Sequence, residues 1–401
     1  MTRINNVTLG EVARFIRGIT FKPDDVVPRD SPNSVWCMRT KNVQSQLDLS
    51  DLWAVRAAFV KRPEQYLMAG DLLVSSANSW NLVGKCCWIP KLEHDSTFGG
   101  FVSVLRADTN KIHPRYLYHW FSSSRVQATI RSFGRQTTNI SNLDTKRCLQ
   151  MSIPLPPLDA QQNIAELLDQ ADAFRAKRRE AIGLLDELTQ SIFLDMFGDP
   201  SINRNGWPVR TIGDLIESAT YGTGQKAAKE GDLPVLRMGN LTTQGRVDLA
   251  DLKYLRGDEV DPRHLVSPGD LLFNRTNSAD LVGKTAVYRS GPPMAYAGYL
   301  VRARTNSRGN PEYISAFLNS RYGKRVLRSM CKSIIGMANI NAREMQAIRI
   351  PAPPVDLQHE FARRVYEVER ERARQESQLP VLDELFDSLQ QRAFRGELWE
   401  D

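Results

Sequence analysis

The sequence predicts an α+β fold in which two repeated domains of mixed α/β structure are separated by two long antiparallel coiled-coil helices, with pseudo-two-fold symmetry. Three observations support this prediction. A long helical pattern covers residues 159–197, a second covers 356–395, and the globular segments that precede them share several sequence blocks. The chain is therefore built twice, each time as a globular segment, a proline-rich entry and a long helix.

The first helical pattern carries apolar residues in alternating steps of three and four. This spacing is typical of a helix that meets another helix along a 3.5-residue seam. A helix of this length spans roughly 58 Å, which exceeds the interior of one domain and suits a spacer. Gly198 and Pro200 end the pattern. Its predicted seam residues are Ile164, Leu167, Phe174, Arg178, Leu185, Leu188 and Ile192.

The second helical pattern supplies the partner for the first. Its predicted seam residues are Phe361, Val365, Val368, Arg372, Gln375, Leu382, Phe386 and Leu389. Pro380 lies inside it, so we expect a kink or a short break near residues 377–380. Antiparallel helices of equal length bring their midpoints together, which places Arg178, Arg372 and Gln375 in one polar layer. We hypothesise that this layer fixes the register of the pair; the alternative is that the helices splay there and the side chains reach water.

The internal repeat is strongest in the globular segments. Gly70-Asp71-Leu72-Leu73 and Leu82-Val83-Gly84-Lys85 align without a gap on residues 269–272 and 281–284. Further downstream, Asn139-Ile140-Ser141 aligns with Asn339-Ile340-Asn341 before each proline-rich entry. We therefore expect one domain at residues 1–157, a central helix at 158–200, a second domain at 201–355 and a C-terminal helix at 356–401.

Each domain combines short apolar runs with one clear helix. The runs at 72–75, 101–105, 271–273 and 299–303 are bounded by Gly, Pro, Asn or Asp and predict strands. Proline at a first-turn position opens helical patterns at 114–124 and 311–320. A mixed domain with an antiparallel or mixed sheet follows from this alternation.

The composition excludes several classes of protein. No apolar stretch is long enough to cross a membrane, and the N-terminal residues lack the core of a signal peptide, so we expect a cytoplasmic protein. The five cysteines show no C-x-x-C spacing, which argues against disulfides and zinc sites. A net charge of +7 is compatible with a polyanionic partner but is small for 401 residues.

The motifs that could carry catalysis are incomplete. Gly84-Lys85 and Gly283-Lys284 resemble the end of a phosphate-binding loop, but serine stands where its first glycine is needed. Residues 221–224 resemble a methyl-donor loop without the strand that leads into one, and the Asn/Asp-Pro-Pro-aromatic stretch that holds a flipped adenine is missing. The five histidines lack ligand spacing. We therefore predict no catalytic residue, no metal site and no cofactor on this chain.

Binding is the remaining possibility. Polar and cationic side chains able to read base edges or neutralise phosphates surround the repeated blocks. Between the repeated blocks the two halves differ: residues 74–77 read Val-Ser-Ser-Ala, whereas 273–276 read Phe-Asn-Arg-Thr. A retained frame with changed polar residues predicts two readers of different sequences; the alternative is ordinary solvated loops. The candidates are Arg39, Lys41, Asn42, Ser76, Asn78, Trp80, Lys85, Arg135, Gln136, Arg237, Asn240, Asn274, Arg275, Asn277, Lys284 and Lys332.

These residues together resemble the DNA-specificity subunit of type I restriction-modification systems over essentially the whole chain. The resemblance lies in the paired G-D-L-L blocks, the Ile-Pro-x-Pro-Pro-x-Asp entries followed by Gln161-Gln162 and Gln358, the helix end at 193–200 and the residues at 393–398. It implies two target-recognition domains that each read half of a split DNA site.

The resemblance also implies partners. The long helices of such subunits bind two modification subunits, which methylate adenine with S-adenosylmethionine, and a restriction and translocase subunit can join the complex. The specificity subunit itself is not an enzyme, in agreement with the incomplete catalytic motifs.

Two alternatives belong to other classes. A coiled-coil scaffold without DNA binding accounts for the helices but does not require two repeated domains with different polar loops. A fused restriction or methyltransferase enzyme requires the methyl-donor and base-pocket motifs that the sequence lacks.

Overall fold

The computed structural model describes residues 5–133, 135–136, 140–278, 280–334 and 337–398. The chain divides into two compact units: unit 1 comprises Met1–Lys177 and Gln378–Asp401, and unit 2 comprises Arg178–Ser377. Each unit contains one of the repeated domains together with half of each long helix.

Unit 1 begins with strands and short helices and ends in the first long helix. Its elements are β1 (Asn6–Thr8), α1 (Leu9–Val12), β2 (Ala13–Arg17), β3 (Val26–Val27), β4 (Ser34–Met38), β5 (Trp53–Arg56), β6 (Leu72–Ser75), β7 (Ala77–Asn78), β8 (Cys86–Trp88), β9 (Ser96–Phe98), β10 (Val102–Ala107), α2 (Pro114–Ser122), α3 (Ser124–Ser132), β11 (Arg135–Gln136), β12 (Ser141–Asn142), α4 (Thr145–Leu149), β13 (Ser152–Pro154) and the first part of α5 (Leu158–Phe197).

Two four-stranded sheets form the body of the domain in unit 1. One has the order β2-β10-β6-β8 and is antiparallel throughout. The other has the order β3-β5-β4-β9, in which β4 and β9 are parallel. A three-stranded sheet β11-β12-β7 and the pair β1-β13 complete the domain. Leu72 and Val74 of β6 lie in one hydrophobic core and Leu73 in another, so the alternating faces of one strand join the two layers.

Unit 2 repeats most of this element order, but its described residues contain no α-helix that corresponds to α1 and no strand that corresponds to β3, and they include an additional strand, β18. Its elements are β14 (Val209–Thr211), β15 (Ile216–Tyr221), β16 (Leu233–Leu236), β17 (Lys253–Leu255), β18 (Leu265–Val266), β19 (Leu271–Asn274), β20 (Thr276–Asn277), β21 (Thr285–Val287), β22 (Met294–Tyr296), β23 (Leu300–Thr305), α6 (Pro311–Asn319), α7 (Arg321–Met330), β24 (Lys332–Ile334), β25 (Met337–Asn339), α8 (Ala342–Gln346), β26 (Arg349–Pro351) and the first part of α9 (Val355–Phe394).

The sheets of unit 2 correspond to those of unit 1 with one change. The orders β15-β23-β19-β21, β20-β25-β24 and β14-β26 match their counterparts strand for strand. The mixed sheet has the order β17-β16-β22-β18, again with one parallel pair, β16 and β22. Its fourth strand adds beside β22, whereas the fourth strand of unit 1 adds beside β5. The predicted mixed α+β fold class is confirmed.

The two long helices lie close to the ranges that the sequence predicts. α5 covers Leu158–Phe197 and α9 covers Val355–Phe394, 40 residues each. α9 continues through Pro380, so the expected short break is not present. Pro380 and Glu376 are both exposed. The carbonyl of Glu376, which loses its helical partner, can therefore face water, and the packed segments on either side keep the helix continuous.

The helices pack antiparallel within each unit. In unit 1, Arg175 Nε donates to Asp383 Oδ1 at 2.6 Å, and Ile164 shares a core with Phe386 and Ala393. In unit 2, Arg178 Nη1 donates to Gln375 Oε1, and the ring of Phe193 lies 5.8 Å from that of Phe361. In each unit, later residues of α5 therefore contact earlier residues of α9, as antiparallel packing requires.

The predicted seam is correct in part. Ile164, Phe361, Val365, Val368 and Phe386 are buried. Leu167 and Phe174 are exposed, so their assignment to the seam is wrong, while Ala165, Leu168 and Phe193 are buried instead. Leu188 is 39% exposed but lines a groove with Glu371 and Gln375 of α9. The buried face of α5 is rotated because the helix also covers the core of its domain, as Leu168 does beside Tyr116 and Trp120. The remaining predicted seam residues are partly buried: Arg178, Leu185, Ile192, Arg372, Gln375, Leu382 and Leu389.

The midpoint residues come together only in part. Arg178 contacts Gln375, as predicted, but Arg372 pairs with Glu369 and Glu376 of its own helix. The proposed role of this layer in fixing register stays a hypothesis.

A buried glutamine ties the start of each long helix to its domain. Gln161 accepts from the backbone N–H of His113 at 2.7 Å and donates to the Pro156 carbonyl at 2.8 Å. Gln358 repeats both contacts with Asn310 and Pro353, at 2.9 Å each. These glutamines therefore hold each helix in the same position on its own domain. None of the helices in the described ranges is long and apolar enough to cross a membrane.

Candidate nucleic-acid interface

The repeated G-D-L-L blocks build a structural frame. Gly70 and Gly269 have φ angles of 95° and 94°, a left-handed conformation that favours glycine. The next residue, Asp71 or Asp270, is buried. Asp71 accepts two bonds of 2.7 Å from Arg106, and Asp270 accepts a bond of 2.8 Å from Arg304. The frame thus holds the turn and the neighbouring strand in the same geometry in both units.

In unit 1 a small sheet forms beside this frame. β7 pairs with β12, and β12 pairs with β11, so Asn142 lies opposite Ala77 on one side and Arg135 on the other. The sequence predicts candidate residues in two separate segments, around Asn78 and around Arg135, and the structure brings the two backbones into one sheet.

Unit 2 builds the same sheet from β20, β25 and β24. Asn339 lies opposite Thr276 and Lys332. This register makes Asn142 the counterpart of Asn339, so the sequence alignment of Asn139 with Asn339 is wrong by three residues. The amide of Leu143 bonds to the Ser76 carbonyl and that of Ile340 to the Arg275 carbonyl, both at 2.9 Å, which gives the same equivalence. A length difference before the segment produced the error.

Exposed aromatic side chains border both small sheets, and the sequence reasoning missed them. Phe101 is 65% exposed, and its carbonyl accepts from the amides of Ser76 and Ala77. Tyr299 is 53% exposed, and its carbonyl accepts from the amide of Arg275 at 3.0 Å. A glycine precedes each aromatic residue where a strand begins, and this repeated Gly-aromatic pair is the signal that could have identified them.

Arg39, Lys41 and Asn42 are engaged within the domain. Asn42 is fully buried, and its side-chain amide donates to the carbonyls of Asp48 and Asp51. Arg39 lies over the ring of Trp53 at 3.7 Å and pairs with Asp51 at 3.1 Å. Lys41 is exposed but pairs with the same carboxylate at 2.6 Å. The structure gives Asn42 a role in loop stability rather than in base contact.

Arg237 and Asn240 repeat this arrangement in unit 2. Asn240 is buried and donates to the carbonyls of Asp248 and Asp251 at 2.9 and 3.0 Å. Arg237 pairs with Asp251 at 3.0 Å. An arginine and an asparagine three residues apart are thus a repeated loop clasp, and the structure offers no base-reading role for Asn240.

Four further candidates of unit 1 lie near the small sheet. Asn78 donates to Ser75 Oγ at 3.1 Å, and Ser76 bonds through its backbone to Phe101 and Leu143. Trp80 is 53% exposed in the turn that follows. Lys85 donates to Gln44 Oε1 at 2.6 Å. Ser76, Asn78 and Trp80 form one polar and aromatic surface.

The corresponding residues of unit 2 are more cationic and less fully partnered. Arg275 lies over the ring of Tyr221 at 4.9 Å, and its Nε is buried without a hydrogen-bond partner. Asn277 accepts from the amide of Ser278 at 2.9 Å. Asn274 is fully buried, and neither polar atom of its amide has a partner. Lys284 is 7% exposed, and burial lowers its pKa.

The side chains of Arg135, Gln136 and Lys332 lie outside the described residues. Their backbones form β11 and β24, the outer strands of the two small sheets. Their predicted contacts with DNA stay predictions.

An asparagine side chain lies at each small sheet, Asn78 in unit 1 and Asn277 in unit 2, and Arg275 lies beside the sheet of unit 2. Arginine and asparagine side chains can form hydrogen bonds with base edges in the major groove, and cations neutralise phosphates. In the described part of the chain, no group of three or more histidine, cysteine, aspartate or glutamate side chains could hold a metal ion. The geometry supports binding of a polyanion through paired surfaces.

Comparison with known proteins adds independent evidence. Residues 1–184 match the family model described as a type I restriction modification DNA specificity domain. The chain is 27% identical over 409 aligned residues to the type I restriction enzyme EcoKI specificity subunit of Escherichia coli K12 and 26% identical over 407 to the StySPI specificity subunit of Salmonella potsdam. Each alignment covers 96% of this chain and 87% of the relative.

Solved structures show the same fold. The S subunit of a type I restriction-modification system from M. genitalium has a TM-score of 0.57 at 13% identity, with 98% of this chain and 97% of that chain covered. A chain from a structural study of complex assembly in the type I R-M system has the same TM-score at 17% identity, with 98% of each chain covered. Residues 1–184 thus match a type I restriction modification DNA specificity domain, and the chain is similar over 96% of its length to specificity subunits of type I restriction enzymes.

Proposed function

We propose that each unit reads one half of a bipartite double-stranded DNA target through the surface around its small sheet. One observation carries this proposal: the same three-stranded sheet stands beside the same frame in both units, but its polar side chains differ. Domains that bound the same bases would not need this difference, because equal contacts require equal side chains.

The chemistry of each surface supports a different base preference. Unit 2 presents Arg275 and Asn277 where unit 1 presents Ser76 and Asn78. Arginine pairs with guanine through two hydrogen bonds, whereas serine is less selective. Phe101 and Tyr299 give both surfaces an exposed ring that can pack against a base or a sugar. We infer that the residue at position 76 or 275 contributes most of the distinction between the half-sites.

The long helices are the proposed docking surface for two modification subunits. In unit 1, Phe174, Val381 and Leu385 are exposed on α5 and α9, and in unit 2 Leu184 and Leu188 are exposed on α5. Apolar side chains on paired helices that already bury their seam are available to a protein partner. The relative described as part of complex assembly in a type I system supports this docking.

We assign the chemistry of methylation to those partners. In this proposal the modification subunits carry S-adenosylmethionine and methylate adenine, while this chain selects the site and is not itself an enzyme. A restriction and translocase subunit is a further partner, and the complex acts in the cytoplasm. The missing base-pocket motif supports this division. Contrary to the sequence expectation, β15 (Ile216–Tyr221) leads into residues 221–224, so the missing strand is no argument against a methyl-donor loop there.

DNA binding is tested with the full chain co-purified with its modification subunits. Affinity for a random 40-base-pair duplex is measured across a salt series. Phosphate contacts impose a linear fall of log affinity with log salt, with a slope of about −0.9 for each contact. A slope of zero, or no binding at any salt concentration, contradicts the proposal and favours a scaffold without DNA function.

Docking is tested with Phe174→Ser and a matched control, Leu49→Ser. Phe174 and Leu49 are both exposed apolar side chains, but Leu49 lies in a loop of the recognition domain and not on a long helix. We expect Phe174→Ser to reduce co-purification of the modification subunits with an unchanged melting temperature, whereas Leu49→Ser leaves co-purification intact. Equal recovery of the partners with both variants contradicts docking through α5.

A further inference from the structure

Unit 2 contains a group of three cations, two of which have no carboxylate partner among the described residues. The Lys284 cluster consists of Lys284, Lys324 and Arg328. Arg328 pairs with Asp280 at 2.9 Å on the exposed side. Among the described residues, Lys284 and Lys324 have no carboxylate partner, although Lys284 is 7% exposed and Lys324 is half-buried. Two lysines that are removed from water without counter-charges favour an external anion.

In unit 1 the position equivalent to Lys324 carries no positive charge. Gln127 of α3 donates to the Gly84 carbonyl at 3.0 Å. Lys324 of α7 takes the equivalent position and donates to the Gly283 carbonyl at 3.4 Å. In unit 1 the remaining lysine, Lys85, donates to Gln44 Oε1 at 2.6 Å. A neutral glutamine therefore suffices for the structural contact, and the lysine of unit 2 adds charge that the fold does not require.

The electrostatics of the cluster agree with a preference for an anion. Burial, followed by the charges of Lys284 and Arg328, lowers the pKa of Lys324 to about 8. Burial also lowers the pKa of Lys284. An anion bound between the two ammonium groups would raise both pKa values toward normal, because it favours the charged forms.

The position of the Lys284 cluster, beside the loop that carries Arg275 and Asn277, indicates which anion it would bind. The backbone of Lys284 bonds to that of Asn274, at 2.8 Å, where the loop that carries Arg275 and Asn277 leaves its strand. The cluster thus lies at the base of the proposed base-reading loop. A group bound there would sit beside the bases that unit 2 contacts.

We propose that Lys284 and Lys324 bind a DNA backbone phosphate next to the half-site of unit 2, a contact that unit 1 lacks. This inference rests on the proposed function, since the phosphate belongs to the same duplex. It predicts that unit 2 holds its half-site with more sequence-independent affinity than unit 1.

The test substitutes Lys324→Gln, which recreates the residue that unit 1 uses at this position and so preserves the structural hydrogen bond. Arg325→Gln is the matched control, because Arg325 is an exposed cation on the same helix with the same charge. Affinity for a random 40-base-pair duplex is measured in a salt series with the full chain and its co-purified modification subunits.

We expect Lys324→Gln to make the slope of log affinity against log salt shallower by about 0.9 and to weaken binding about three- to tenfold at moderate salt, while Arg325→Gln leaves the slope unchanged. Equal slopes for the wild type and Lys324→Gln overturn this inference but leave the proposed function intact. A wild type without salt-dependent binding overturns both.

The pH dependence gives a second readout. Wild-type affinity should fall as pH rises through about 8, because Lys324 then loses its proton. The charged groups that act on Lys324 are Lys284 on the neighbouring loop and Arg328 on α7, and Arg328 in turn pairs with Asp280. The fall should be absent in Lys324→Gln. An identical fall in both proteins contradicts the assignment of the phosphate contact to Lys324.

Discussion

Units 1 and 2 share a frame but differ in the surface that the frame supports. Gly70 and Gly84 recur as Gly269 and Gly283 with similar positive φ angles, Asp71 recurs as a buried Asp270, and the strand orders agree in every sheet except the mixed one. Ser76 and Gln127, by contrast, are replaced by Arg275 and Lys324. The buried contacts are therefore constrained by folding, whereas the residues around the small sheets differ between the units.

The largest expected effect concerns the frame. Asp71→Ala leaves Arg106 largely buried without its partner, which should lower the free energy of unfolding by about 3–5 kcal/mol. Asp270→Ala removes the carboxylate that pairs with Arg304 and lies near Arg302. We therefore expect the free energy of unfolding to fall by a similar amount. Urea denaturation measures both losses.

The control for the frame is Asp258→Ala, which removes an exposed ion pair with Arg256 and should cost less than about 1 kcal/mol. A loss that is equally small for Asp71→Ala would show that the repeated aspartates do not hold the frame.

The glutamines at the starts of the helices should behave alike in the two units. Gln161→Leu and Gln358→Leu each leave a buried N–H and a buried carbonyl without partners, so each should lower the free energy of unfolding by about 2–3 kcal/mol. The exposed neighbour Gln162→Leu should change it by less than about 0.5 kcal/mol. A large difference between the two buried variants would contradict the equivalence of the units.

The polar contacts of the helix pair sharpen the comparison further. Arg178→Leu removes the contact with Gln375 in unit 2 and, under the register hypothesis, should lower stability by about 1 kcal/mol and weaken binding to DNA. Melting temperature and DNA affinity are measured together. A more stable variant with unchanged DNA affinity would reject the hypothesis.

The smallest expected effect is a pH dependence that comes from a buried histidine of unit 1 without a histidine counterpart in unit 2. His119 is buried beside Asp169, and burial lowers its pKa. Its counterpart Ala316 cannot titrate. Because the unfolded chain binds this proton more readily, stability should fall as pH drops below about 6.5. His119→Gln should reduce that fall in melting temperature between pH 7 and 5.5; an unchanged fall would assign it to other groups.

The sequence predicted the architecture well because its signals are local or repeated. The 3.5-residue spacing located α5 and α9 almost to the residue, and the copied G-D-L-L blocks located β6 and β19. The predicted buried face of α5 was wrong at Leu167 and Phe174. The helix packs both against its domain and against α9, and only packing against α9 follows the regular 3.5-residue spacing that the sequence shows.

The candidate site was harder to predict for a physical reason. Arg39 and Asn42 have the same side-chain chemistry as base readers, and only burial and bonding to Asp48 and Asp51 separate a loop clasp from a binding surface. Phe101 and Tyr299 were missed because an aromatic residue at the start of a strand is usually part of the core. Whether a polar side chain belongs to a loop clasp, and whether an aromatic side chain is exposed, both depend on which distant strands pair. Local sequence does not predict that pairing.

The central claim is that each unit selects its own half of the target, and modified-base sequencing tests it most directly. Genomes of cells that express the wild type, Ser76→Ala or Arg275→Ala with the modification subunits are compared. We predict that Arg275→Ala relaxes the modified sequence in one half only, at a cost of about 1–3 kcal/mol per lost base contact, and that Ser76→Ala affects only the other half. Relaxation of both halves by either single substitution would contradict the account.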